Sequence, residues 1–325
     1  MSIWTELLPR DIRNHISSYL DQYNKYYPVI NYKKYLIKYV AIKNDTYNDI
    51  KYMTNLQQLY CNDNTNFTDE GIKNLTNLQE LDCGYNNNFT DEGIKHLINL
   101  QELNCGHNIN FTDKGLKYLT NLQVLTCENN NNFTDKELKY LTNLQELNCG
   151  HNINFTDEGI KNLTNLQELY CGYGYIINNF TDEGIKQLTN LRKLDCGLNK
   201  KFTDEGIKQL TNLRKLDCGL NKKFTDGGLK HLTNLQKLTC ENNNFTDKGL
   251  KYLTNLQELN CHYNNKFTDE GIKYLTNLQV LDCNKNFTDE GIKQLTNLQV
   301  LYCYYNDKCT NEGLKHLTNL EIIRY

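Results

Sequence analysis

The fifteen residues NLQELNCGHNINFTD occur at 99–113 and again, letter for letter, at 143–157. Residues 180–201 and 202–223 are likewise identical over 22 positions, the mark of tandem duplication. Aligning the chain on its cysteines gives twelve units, from Cys61 to Cys303, spaced 20 to 25 residues apart and most often 22. Self-similarity at that period restricts a 325-residue chain to one repetitive body in place of two ordinary domains.

Each unit reads L-x-x-L-x-C-x-x-N, then an F-T-D-x-G-I-K-x-L run. The second leucine and the cysteine are two residues apart, so in an extended segment they share one side and their neighbours take the other. This spacing predicts a short strand with one buried face. The following threonine or aspartate matches a helix N-cap, and Ile72 and Leu75 stand at helical spacing for one or two turns. Asp69 and Lys73, four apart, are expected to pair with each other and to suit the helix dipole. About six apolar side chains per unit need cover that only neighbouring units can supply, each contributing roughly 1.5–3 kcal/mol when buried and less for cysteine.

Eleven phenylalanines occupy one column from Phe67 to Phe287, and Cys309 takes the place of a twelfth. The asparagine three residues after the cysteine is expected to satisfy turn backbone in its own and the adjacent unit. The unit at Cys171 departs, with Gly174 at that position and three extra residues, so a local bulge is expected between Cys171 and Phe180.

The pattern LxxLxCxxNxxFTDxGIKxL over residues 46–325 resembles the leucine-rich repeat with cysteine at the third strand position. That resemblance implies an α/β fold: a curved solenoid with a parallel sheet on its concave face, short helices on its convex face, and a role in protein binding. Tyr325 falls where a thirteenth cysteine would stand.

Residues 1–45 read differently. Pro9 suits a first helical position, Ile12, Ile16, Tyr19 and Leu20 follow at helical spacing, and a second candidate helix places Tyr32, Tyr35, Leu36, Tyr39 and Val40 on one side. LLPRDIRNHISSYL resembles the opening of the F-box. In that family the motif docks on the adaptor subunit of a cullin-type ubiquitin ligase while leucine-rich repeats select the substrate. The resemblance puts Leu8, Pro9, Ile12, Ile16 and Leu20 at the docking positions, although the tyrosine-rich stretch at 23–39 lacks the family's late tryptophan. A pair of amphipathic helices that caps the first repeat accounts for the same residues.

The expected partner surface is the outward side of the strands. Before the second leucine it carries Glu80, Glu102, Glu146, Glu168, Lys193, Lys215 and Lys237, and after it Tyr170 and Tyr302, with Tyr304 and Tyr305 close behind. It reads acidic first, mixed in the middle near Arg192 and Arg214, and aromatic at the end, and exposed aromatics beside charges suit interface anchors. Drift among duplicated repeats would give such variation with no partner at all.

Other chemistry finds little support. A formal charge of −3 gives no field for nucleic acid or an anionic membrane. Cysteines 22 residues apart on a buried side suit packing better than metal or redox work, and adjacent parallel strands hold their sulfurs poorly for disulfides. The seven histidines show no nucleophile and base arrangement, and the convex lysines have carboxylates one turn earlier. The expectation is a monomeric, non-enzymatic protein without cofactor or metal. The N-terminus shows no signal-peptide core, so the eight NFT triplets are expected to stay unglycosylated and the thiols reduced in a cytoplasm. Heavy use of Asn, Lys, Ile and Tyr in uniform repeats is similar to leucine-rich repeat proteins of large DNA viruses of amoebae, which would make that compartment the host cytoplasm.

Overall fold

The computed structural model describes residues 39–41, 50–172, 178–304 and 306–324, with backbone alone at 39–41 and 322–324. Fourteen parallel strands form one sheet in strict chain order, from β1 (Tyr39–Ala41) to β14 (Ile322–Arg324). At a strand spacing of ~4.8 Å the sheet is about 60 Å long. Each strand has three residues, and twelve four-residue α-helices, α1 (Asp69–Ile72) to α12 (Asn311–Leu314), lie between successive strands from β2 (Gln58–Tyr60) onward. The convex element is therefore a single α-turn, the lower limit of the expected range.

Register follows the leucine columns, with Leu59, Leu81, Leu103, Leu125 and Leu147 opposite one another in successive rungs. These leucines, all thirteen cysteines and all eleven phenylalanines are buried. Burial pushes the column thiols upward from their ordinary range, and Cys309, in the phenylalanine column, is likewise raised to about 12. Several donate to a carbonyl of the next strand, as Cys83 Sγ does to Asn104 O at 3.4 Å. Packing and a weak hydrogen bond account for the cysteine column.

One polar ladder between rungs runs through the buried asparagines and another through the aspartates at the helix starts. Asn86 Nδ2 donates to Asn64 O at 2.6 Å in the preceding unit, while its Oδ1 accepts from Asn88 N at 3.0 Å in its own. The expected role of this asparagine holds, but two units fill the slot differently. In the long unit Asn178 is fully buried in the column, and in the short one Asn284 donates to Asn264 O at 2.7 Å while Asn286 lies outside it. The slot follows the buried phenylalanine, two or three residues ahead of it, so a change in loop length moves it relative to the cysteine. Residues 173–177, where a bulge was expected, lie outside the described residues. The flanking strands keep register all the same, with Glu168 opposite Lys193.

The second ladder corrects the expected pairing of Asp69 with Lys73. Asp69 accepts from Thr90 N at 2.8 Å and from Thr90 Oγ1 at 2.6 Å in the next unit. Thr90 Oγ1 in turn accepts from Glu92 N, capping α2 (Asp91–Ile94). Lys73 pairs instead with Glu70 at 2.6 Å, three residues back, and the same pair recurs at Lys161 with Glu158 at 2.7 Å. A carboxylate that satisfies a backbone N–H and a hydroxyl of the next unit has two partners to lose if it turns to an exposed lysine, whose pairing contributes about 0–1 kcal/mol. In units where that glutamate is lysine (Lys114, Lys136 and Lys248), the convex Lys117, Lys139 and Lys251 lie over tyrosine rings.

A second correction concerns the start of the sheet. Tyr39 and Val40, expected on a helix, belong to β1, with Val40 opposite Leu59. The sheet thus reaches back beyond residue 46. The β-branched Val40 suits a strand, and the backbone groups on the edge of β2 find partners there.

Candidate functional site: the outward face of the strands

Along each strand from β2 to Val300–Tyr302 the middle leucine points inward and its two neighbours outward, as in β6 (Glu146–Asn148). The outward residues of successive strands are therefore stacked directly beside one another, and their chemistry changes along the sheet.

From β2 to β7 (Glu168–Tyr170) the charged groups are acidic. Glu80 is held by Gln58 Nε2 at 2.9 Å and by the Tyr60 hydroxyl. Glu102 is pushed up from the ordinary carboxylate range by burial and then by Glu80, and Glu146 by burial and then by Glu168. Burial also raises Asp82, with the neighbouring Glu80 adding to it.

The sign changes between β7 and β8 (Lys193–Asp195). Tyr170 Oη donates to Glu168 Oε2 at 2.7 Å, Lys193 Nζ donates to the same hydroxyl, and its ammonium lies 4.4 Å from the centre of the Tyr170 ring. Beyond this junction Lys193, Lys215 and Lys237 stand directly opposite one another on β8, β9 (Lys215–Asp217) and β10 (Lys237–Thr239). Lys237 is drawn to Glu258 of the following strand at 2.5 Å, whereas Lys215 in the middle has no ion pair among the described residues. Asp195 and Asp217 are also opposite one another. Burial first and the charge of Asp217 second push Asp195 up to about 6.

At the far end Tyr302 and Tyr304 stack with ring centres 6.4 Å apart, and Tyr304 is exposed. Tyr305 lies outside the described residues, as do Leu8, Pro9, Ile12, Ile16 and Leu20. The structure thus brings Glu80, Glu102, Glu146, Glu168, Tyr170, Lys193, Lys215, Lys237 and Tyr302 onto one face. It also shows a contact that the sequence did not suggest, His262 Nδ1 at 3.4 Å from Asp282 Oδ1 on the next rung. The signal was the rung-to-rung register itself, which aligns a turn residue with a neighbouring strand. Among the described residues no cluster of His, Cys, Asp and Glu could hold a metal ion. Nor is any described helix long and apolar enough to cross a membrane.

A family model for leucine-rich repeats (two copies) matches residues 54–96. An internalin (inlF) from Listeria monocytogenes is similar in structure at a TM-score of 0.64 and 25% identity, over 89% of this chain and 87% of that one. A leucine-rich repeat protein from Leptospira interrogans is similar at a TM-score of 0.52 and 26% identity, over 85% of this chain and 87% of that one. No curated protein sequence matches the chain. Fold, repeat and structural relatives together define a leucine-rich-repeat solenoid, the architecture of a protein-interaction scaffold.

Proposed function

We propose that the chain is a non-enzymatic scaffold that binds a protein along the outward face of its strands. The observation that carries this reading is the division of labour within each three-residue strand. From Gln58–Tyr60 to Val300–Tyr302 the inward leucine repeats unchanged while its outward neighbours pass from acidic through basic to aromatic. Electrostatic complementarity of that kind orients a partner and sets its register. The test compares Glu102→Lys with Glu146→Lys on this face against Lys95→Glu and Lys161→Glu on the convex face, in proteins captured from cells under identical conditions. Loss of captured protein with the first pair alone supports the reading, and equal capture by all forms contradicts it. Changing Tyr302 and Tyr304 to Ala should weaken capture while leaving the melting temperature nearly unaltered, and a large thermal loss would place those rings in the core.

In the finer reading the scaffold is the substrate-selecting subunit of a cullin-type ubiquitin ligase, working in a cytoplasm. Its support is the F-box resemblance at Leu8, Pro9, Ile12, Ile16 and Leu20. Co-expression with a eukaryotic adaptor subunit should give a complex that Ile12→Asp with Ile16→Asp abolishes, and no complex with the unaltered chain removes this reading. A stand-alone scaffold, its N-terminal segment serving only as a cap, draws support from β1, because Tyr39–Ala41 already adds a rung to the sheet ahead of the first cysteine repeat.

A further inference from the structure

Along the N-terminal edge of the strands runs a continuous groove of about 1920 Å³, lined by the asparagine and glutamine columns of the T-N-L-Q motif. The asparagines are fixed: Asn99 Nδ2 donates to Thr76 O at 2.8 Å and Asn212 Nδ2 to Thr189 O at 2.9 Å, each in the preceding unit. Their Oδ1 atoms are left as acceptors. The glutamines form a looser row, with Gln145 to Gln123 at 3.4 Å and Gln167 to Gln145 at 3.3 Å. Two parallel rows of primary amides offer donors and acceptors without charge, the chemistry that matches a polypeptide backbone.

The glutamine row is broken at its centre by Arg192 and Arg214 on adjacent rungs. Both side chains are exposed, and neither guanidinium has an ion pair among the described residues. Their backbones stand about 4.8 Å apart, so two like charges without an intervening anion share one stretch of the groove, and Lys215, which has no ion pair among the described residues, adjoins Arg214 in the chain. An anionic group between the two forks would offset those charges and accept charge-assisted hydrogen bonds from both.

We infer that this groove binds an extended, acidic segment of a partner protein, its backbone lying along the amide rows and its carboxylates at Arg192 and Arg214. This rests on the scaffold reading and names the chemistry of the partner. Twelve rungs span roughly 50 Å, enough for about fifteen extended residues, with the arginines near the middle.

The probe is a fluorescein-labelled synthetic peptide of about fifteen residues, serine- and glutamine-rich, with four glutamates at its centre. Matched peptides carry glutamine or lysine in place of those glutamates. Fluorescence anisotropy with the full chain should show the acidic peptide binding at least about tenfold tighter than the glutamine peptide, with a steep loss at high salt. The double variant Arg192→Gln, Arg214→Gln restores the residue found in neighbouring rungs, so its fold is kept, and it should erase that preference. Equal binding of the three peptides, no binding of the acidic one, or an unchanged preference in the double variant would overturn the inference. If Lys215→Gln with Lys237→Gln abolishes binding while the arginine variant does not, the peptide lies on the outward strand face. The groove inference then fails and the scaffold reading stands.

Discussion

Glu146 and Leu147 are neighbours in the chain and face opposite ways across one strand, and the two sides of the sheet they belong to obey different rules. Inward, the same leucine, cysteine and phenylalanine recur in almost every rung, each fully covered by the units on either side. Outward, carboxylates give way to ammonium groups between Glu168 and Lys193, opposite one another in the ladder. A unit that buries its apolar groups only against its neighbours tolerates little variation there, since a change is felt by three rungs at once. The outward side carries little of that stability and is left free to vary.

The contrast is testable along its length. Leu147→Ala should cost about 2–5 kcal/mol in chemical denaturation, because the side chain is completely buried. A cost near zero would mean that the rungs are not packed as described. Asn108→Ala comes next. It withdraws the donor to Asn86 O and the acceptor for Asn110 N, both beside the core, and should cost about 1–3 kcal/mol by the same measurement.

Asp195 gives a smaller effect of opposite sign. Its carboxyl is raised from an ordinary value of 3.8 to about 6, so the folded chain holds a proton between those pH values that the unfolded chain has released. Stability from this group is therefore greatest below about pH 4 and is lost as pH rises through 6. Asp195→Asn should raise stability at pH 7 by about 1 kcal/mol, a figure reduced for the partial solvent access of the face, and the gain should vanish near pH 4 in thermal melts. A gain of equal size at both pH values would contradict the cause assigned to the shift. Smallest of all, Glu146→Gln should stay within about 0.5 kcal/mol of the parent, although it adjoins the most sensitive of these positions.

The inward side was legible in the sequence because its columns are periodic. Leucine two residues before each of the twelve column cysteines settles which side is buried, and nothing in the sheet disturbs that register. The polar ladders were legible only in part. Asn178 and Asn284 escape a rule counted from the cysteine, because the loop between cysteine and phenylalanine changes length while the buried slot stays next to the phenylalanine. Asp69 was expected to seek Lys73 since helical spacing suggests it. The stronger partner is Thr90 of the next unit, and a contact between units leaves no trace in the spacing within one. Val40 is a similar case: its spacing fits a helix face as well as a strand, and only the edge offered by Gln58–Tyr60 decides between them. On the outward side each residue's place was legible too, since alternation alone fixes it. The junction of Glu168, Tyr170 and Lys193 needed the rungs to be set side by side.

The most direct trial of the stacked architecture is the reactivity of the thiols in the native state. Cys127 and Cys149 lie in the middle of the column, fully buried, with burial raising both thiols far from the reactive range. With a small alkylating reagent at pH 8 and peptide mapping by mass spectrometry, both should remain unlabelled until denaturant unfolds the chain, and should then react together. Rapid labelling of either in the folded protein would show the thiols facing water and would contradict the inward column on which the solenoid depends.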